Sequence, residues 1–144
     1  MRIQRMPQNL AFVEKNNYEL AITNYEGMKE KNIVLEKSFA FAIRIVNAYK
    51  YLKKEKNEWV ISKQLLKSGT SVGANIEEAI GAQSKADFLS KLSIAYKEAR
   101  ETNYWIRLLI ATNYLSVKLG NSLQKDSEEI CKIIGSIQTS LKKT

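Results

Sequence analysis

Residues 68–109 read SGTSVGANIEEAIGAQSKADFLSKLSIAYKEARETNYWIRLL, and in this stretch small, polar and acidic residues sit inside an apolar pattern of helical period. Leu65, Gly69, Val72, Ile76 and Ala79 recur at steps of four, three, four and three, so one helical face passes straight through the glycine-containing segment. Glycine in a helix interior costs roughly 1 kcal/mol relative to alanine. Gly69 and Gly73 therefore need a compensating gain, and the close approach of a neighbouring helix supplies one. A phosphate-cradling loop is excluded, because it needs four residues between its glycines and then Lys followed by Ser or Thr. Here three residues intervene, and Ala74 and Asn75 follow.

After Gly81-Ala82-Gln83 a new helix is expected from Ser84, a capping residue with Asp87 three positions on, to about Ala111. Asp87 and Lys91 form a supportive pair one turn apart. Phe88, Leu92, Ala95, Ala99, Thr102, Ile106 and Leu109 give this helix a heptad-like seam suited to shallow bundle crossings. A second seam, Ile94, Glu98, Glu101, Trp105 and Leu108, embeds two carboxylates between an aliphatic and an indole. On the preceding helix Gln64, Ser68, Ser71, Asn75 and Glu78 form a polar stripe beside the apolar one. Such residues serve as a solvated face, or Gln64, Ser71 and Asn75, or a Lys or Arg, hydrogen-bond or ion-pair with the glutamates in a buried or subunit-facing network that specifies one register of packing.

The chain has 144 residues, 44% of them hydrophobic, with one Pro and six Gly. That length supports one core, and so few helix breakers leave little room for a sheet. The expected fold is all-α, an up-down-up-down antiparallel four-helix bundle over residues 31–144, preceded by an N-terminal extension, residues 1–30, that is partly helical or poorly ordered. The extension is either an arm that docks on a neighbour or a segment upstream of a start at Met28. The first bundle helix spans about Ile33 to Lys54, with Leu35, Phe39, Ala42, Val46 and Tyr49 as one stripe and Phe41, Ile45, Ala48 and Leu52 as another; two buried stripes are expected. The second helix runs from about Trp59 to Gly81. The fourth covers Val117 to Leu141 and buries Leu123, Ser127, Ile130, Ile134, Ile137 and Leu141.

The net charge is +8, and all of the excess lies after residue 30, which permits phosphate contacts to nucleic acid or another polyanion. Lys97, Arg100, Tyr104 and Arg107 form an outward basic strip with one aromatic, and Lys50, Lys53, Lys54 and Lys56 cluster at the end of the first helix. Both arrangements suit nucleic-acid binding, and both suit simple solvation. Cys131 is the lone cysteine. No intrachain disulfide can form, a packed thiol is expected, and without a spanning apolar run the expected home is the cytoplasm. The chain has no histidine, which excludes His-based triads and Glu-x-x-His di-iron sites. A metal-dependent nuclease using Glu78, Glu98 and Glu101 is the one enzymatic reading that the residues leave open.

The stretch quoted above, with SFAFAIRIV (residues 38–46) before it and EEICKIIGSIQTSLKK (residues 128–143) after it, resembles the four-helix-bundle proteins encoded in intervening sequences of bacterial 23S rRNA genes. The resemblance covers about residues 33–143. That family is similar in fold to the accessory variability determinant of diversity-generating retroelements, a basic, barrel-like homopentamer that binds nucleic acid and a reverse transcriptase. The resemblance implies a homopentamer with no enzymatic activity and no cofactor. It implies that Ser71, Asn75, Glu78, Glu98, Glu101 and Trp105 act as helix-pairing or subunit-interface determinants. The basic residues Lys97, Arg100, Arg107, Lys50, Lys53 and Lys54 would then line a rim or channel that takes structured RNA or DNA. The alternative is a protein–protein adaptor for a polymerase, a reverse transcriptase or a ribosome-associated factor.

Overall fold

The computed structural model describes residues 18–143, with side chains described continuously from residue 32. Four helices follow one another: α1 (Tyr18–Lys56), α2 (Ile61–Ile80), α3 (Lys85–Ala111) and α4 (Val117–Lys142). Each packs against the next, and α4 closes on α1, which is the antiparallel bundle that short connections dictate. No strand occurs among the described residues, and none of their helices is long and apolar enough to cross a membrane.

α1 starts at Tyr18, well before the Ile33 expected, so residues 18–30 continue the first bundle helix. No glycine or proline interrupts the chain from Met28 to Ser68, and nothing local stops the helix before Asn57, whose φ of 53° breaks it. What the sequence leads one to expect of residues 1–17 lies outside the described residues.

Of the two apolar stripes on α1, only one enters the core. Phe41, Ile45, Ala48 and Leu52 are buried together with Val34 and Ser38. The stripe of Leu35, Phe39, Ala42, Val46 and Tyr49 is half-buried at most, and Phe39 is 67% exposed. The expectation of two buried stripes is corrected here: within one chain a bundle helix has two neighbours on the same inner side, and nothing covers its outer flank.

On α2 the seam Leu65, Gly69, Val72, Ile76 and Ala79 is buried as the spacing predicts, Gly73 beside it is half-buried, and the reason for both glycines is visible. A Cβ on Gly69 would lie 2.7 Å from both γ carbons of Ile45, and one on Gly73 would lie 3.3 Å from the carbonyl oxygen of Ser38. α1 therefore lies against the α2 backbone itself. The start of α2 carries no side-chain cap at Val60. Glu58, buried at 7% exposure, fills that role from two residues upstream: its carboxylate accepts from the backbone N–H of Val60 (3.1 Å), Ile61 (2.9 Å) and Ser62 (2.6 Å). It satisfies three of the donors that every helix start leaves free.

On α3 the seam Phe88 to Leu109 is buried throughout, and Ser84 caps as expected, accepting from Asp87 N–H at 3.0 Å. The helix ends in a Schellman motif with Asn113 at φ 66°, Tyr114 N–H donating to Leu109 O (2.9 Å) and Asn113 N–H to Ile110 O (3.0 Å). Ser116 then caps α4, accepting from Leu119 N–H. Ion pairs tie the helices at the surface: Lys37 with Glu129 (3.2 Å), Arg44 with Asp126 (2.6 Å), and Lys91 with Glu78 (2.9 Å).

Candidate nucleic-acid interface

α2 and α3 pack along their seams through small groups. The hydroxyls of Ser68 and Thr102, both buried, lie 2.9 Å apart, and Thr102 Oγ1 is 2.7 Å from Glu98 O. Outside that contact stand the residues expected to determine pairing; the bonds expected from Ser71 and Asn75 to the glutamates are corrected, whereas an ion pair with a lysine does form, at Glu78. Ser71 donates to Lys67 O and Asn75 to Ser71 O, both within their own helix. Neither reaches a glutamate, because helix interiors offer Ser and Asn a nearer carbonyl one turn back. Glu78 holds Lys91, whose pKa is raised by that bond, so Lys91 serves this inter-helix pair in preference to the expected bond to Asp87. Glu101 accepts from Trp105 Nε1 at 3.0 Å. Among the described residues no group of three His, Cys, Asp or Glu could hold a metal ion.

Glu98 is half-buried, and burial raises its carboxyl pKa; the neighbouring Glu101 adds to the rise and Lys67 opposes it. The folded state thus binds the Glu98 proton more tightly than the unfolded chain does. The resulting stabilisation is complete below the ordinary value of 4.5 and is lost as pH rises through the raised one. Glu98→Gln is therefore expected to raise the thermal midpoint at neutral pH by about 1 °C, a gain of a few tenths of a kcal/mol for a partly exposed carboxylate. The gain should vanish below the ordinary carboxylate range, and calorimetric melts across pH check both parts.

The other flank of α3 is different in kind. Tyr96, Arg100, Asn103 and Arg107 recur at four, three, four, and together with Tyr104 and Glu101 they face Gln124, Glu128, Cys131 and Lys132 of α4 across an open groove of about 720 Å³. Arg107 lies over the Tyr104 ring at 5.9 Å. Tyr96 and Tyr104 keep 36% and 48% of their surface exposed. Asn103 has its Oδ1 buried with no hydrogen-bond partner. Burial raises the Cys131 thiol pKa, against the pull of Arg100, so at neutral pH it is a packed, protonated thiol.

Of the six basic residues singled out in the sequence, the groove gathers Arg100 and Arg107. Lys97 is exposed on the same helix outside it. Lys50, Lys53 and Lys54 belong to the end of α1, which the antiparallel course puts at the same end of the bundle as the α3 C-terminus. Lys53 lies over the rings of Tyr49 (5.2 Å) and Trp59 (5.5 Å). Tyr96, Asn103 and Lys132 were missed by the sequence reading. The first two carried a signal in their spacing with Arg100 and Arg107; Lys132 carried none, since only the α3–α4 packing brings it there.

The model of the 23S rRNA-intervening sequence proteins matches residues 30–136, from within α1 into the last turns of α4. The chain belongs to that family. A crystal structure of a protein with unknown function from the S23 ribosomal protein family, from Bacteroides thetaiotaomicron, is similar at 55% sequence identity and a TM-score of 0.76, over 76% of this chain and 98% of that one. Comparison with curated proteins gives no match. For this intervening-sequence protein the matched part thus takes in the two middle helices whole, most of α1 and most of α4, and with them both flanks of α3.

Proposed function

We propose that this intervening-sequence protein is a non-enzymatic, self-assembling bundle that binds nucleic acid through the α3–α4 groove and the basic row beside it. The observation that carries the reading is the convergence of Arg100, Arg107 and Lys132 with two open tyrosines on one groove. None of these cations belongs to the ion pairs that tie the helices, so their charge is available to phosphates, and the net charge of +8 supports long-range attraction. Titrating a labelled RNA hairpin and a DNA duplex by fluorescence anisotropy at rising salt tests it. Affinity should fall steeply with salt. Arg100→Ala/Arg107→Ala should weaken binding about tenfold and reduce the salt slope by about two. Absence of salt-dependent affinity for both of these probes and for a single-stranded RNA overturns the reading.

Self-assembly is supported by the uncovered stripe of α1 and the residue next to it, where Phe39 is 67% and Ile43 50% exposed one turn apart. A pentamer is the stoichiometry that the family resemblance favours. Light scattering that gives a monomer at micromolar concentration contradicts it. The same stripe would serve the second reading, an adaptor for a polymerase, a reverse transcriptase or a ribosome-associated factor. Capture of such a partner that survives high salt and nuclease, lost in Phe39→Asp, favours that reading.

A further inference from the structure

The α3–α4 groove is built for more than phosphate attraction. It holds three cations, Arg100, Arg107 and Lys132, but also two carboxylates, Glu101 and Glu128, and two tyrosines with open surface. A track for duplex phosphates gains nothing from carboxylates between its cations, because each repels the anion it should hold. It gains little from tyrosines either, because a duplex buries the faces of its bases and offers only edges and phosphates. Unpaired bases offer both things the groove can use: open faces for the tyrosines and exocyclic amino groups for carboxylate oxygens.

The geometry points to single-stranded RNA or DNA as the ligand of this groove, with bases stacked on Tyr96 and Tyr104, phosphates on Arg100, Arg107 and Lys132, and amino-bearing bases preferred over uracil through Glu101 and Glu128. The inference rests on the nucleic-acid reading and specifies its substrate class. Tyr96 and Tyr104 are eight residues apart on one helix, roughly 12 Å along its axis, which matches about three to four steps of a stacked strand. The groove's volume of about 720 Å³ falls within the ~300–1,000 Å³ of ligand-sized sites, which gives room for part of a single strand. Arg107 over the Tyr104 ring extends that platform and puts a cation beside the stacked base. Glu101 is already fixed by Trp105 Nε1 through Oε2, which leaves its other oxygen to accept. At the floor of the groove Asn103 has an acceptor with no partner.

The test uses the full chain and fluorescein-labelled twelve-nucleotide probes of A, C and U, together with a mixed-sequence RNA duplex of the same length, read by anisotropy at fixed salt. The single strands of A and C should bind about tenfold more tightly than the duplex, and several-fold more tightly than U. Tyr104→Ala and Tyr96→Ala should each weaken the A and C probes about fivefold or more, whereas Tyr104→Phe retains binding. Glu101→Gln/Glu128→Gln should remove the preference over U. All these side chains are partly or fully exposed, and an unchanged melting curve confirms that each variant is folded. Equal affinity for duplex and single strand, or no loss in the tyrosine variants while Arg100→Ala/Arg107→Ala still weakens binding, overturns this inference and leaves the nucleic-acid reading standing. No binding of any probe overturns both.

Discussion

Gly69→Val is expected to lower the thermal midpoint by about 10 °C or to prevent folding. A Cβ at this position would already stand 2.7 Å from two carbons of Ile45, and valine adds two methyl groups beyond it. Ile45 cannot swing aside: it is fully buried and its branched Cβ leaves one strongly preferred rotamer in a helix. Relief therefore requires α1 to move off α2, which opens the seam between them. Overpacking of this kind costs roughly 3 kcal/mol at the upper end of its usual range, against a marginal total stability of ~5–15 kcal/mol, and a domain of this size loses about 2–4 °C per kcal/mol. Gly69→Ala should show the same effect in smaller measure, because the clash is offset by roughly 1 kcal/mol of helix propensity. Ile45→Ala should rescue it in part, a coupling measurable in a double-mutant cycle. Gly135 is the control. A Cβ there meets nothing within 4 Å, so Gly135→Ala should stabilise. A Gly69→Ala melt that rises like that of Gly135→Ala would show that the helices are not held at this distance.

The second large effect is at Glu58. Glu58→Ala is expected to cost about 2–3 kcal/mol, a fall of about 8 °C in the melting midpoint followed by far-UV circular dichroism. The carboxylate accepts from three successive backbone N–H groups, the shortest at 2.6 Å, in a site that is nearly closed to solvent. Val60, the residue at the cap position, has no side-chain acceptor, so nothing nearby takes over. Glu58→Asp keeps the charge but shortens the reach, and it should fall between wild type and alanine. Glu55→Ala, at an exposed position on the preceding turn, should change the midpoint by less than about 1 °C. If Glu58→Ala did no more than that, the start of α2 would owe its stability to the packing of Ile61 and Leu65 and the bond from Ser62 Oγ to Glu58 O.

Both residues show where reading the chain succeeds and where it stops. The spacing of Leu65, Gly69, Val72, Ile76 and Ala79 and that of Phe88 through Leu109 named buried faces that are buried, because helical period is a property of one segment and is written in that segment. The same is true of Ser84, whose cap is a bond to a residue three positions on. That Gly69 and Gly73 need a close neighbour also followed from their cost in a helix. That the neighbours are Ile45 and Ser38 did not.

What the tertiary structure alone decided depends on pairing between segments. Two stripes on α1 are equally apolar, and only the positions of α2 and α4 select Phe41, Ile45, Ala48 and Leu52 for the core and leave Phe39 outside. Ser71 and Asn75 looked available to Glu98 and Glu101, but their nearest acceptors were carbonyls of their own helix. Four of the ten residues that line the candidate groove are Gln124, Glu128, Cys131 and Lys132, more than a dozen residues beyond the last α3 residue that lines it. The local sequence thus determined which helices form and which face of α2, α3 and α4 is apolar, through periodicity and caps that act over one turn. The partner of each face, and the meeting of cations, tyrosines and carboxylates on one flank, were set by the way four helices share a single core, which no segment encodes alone.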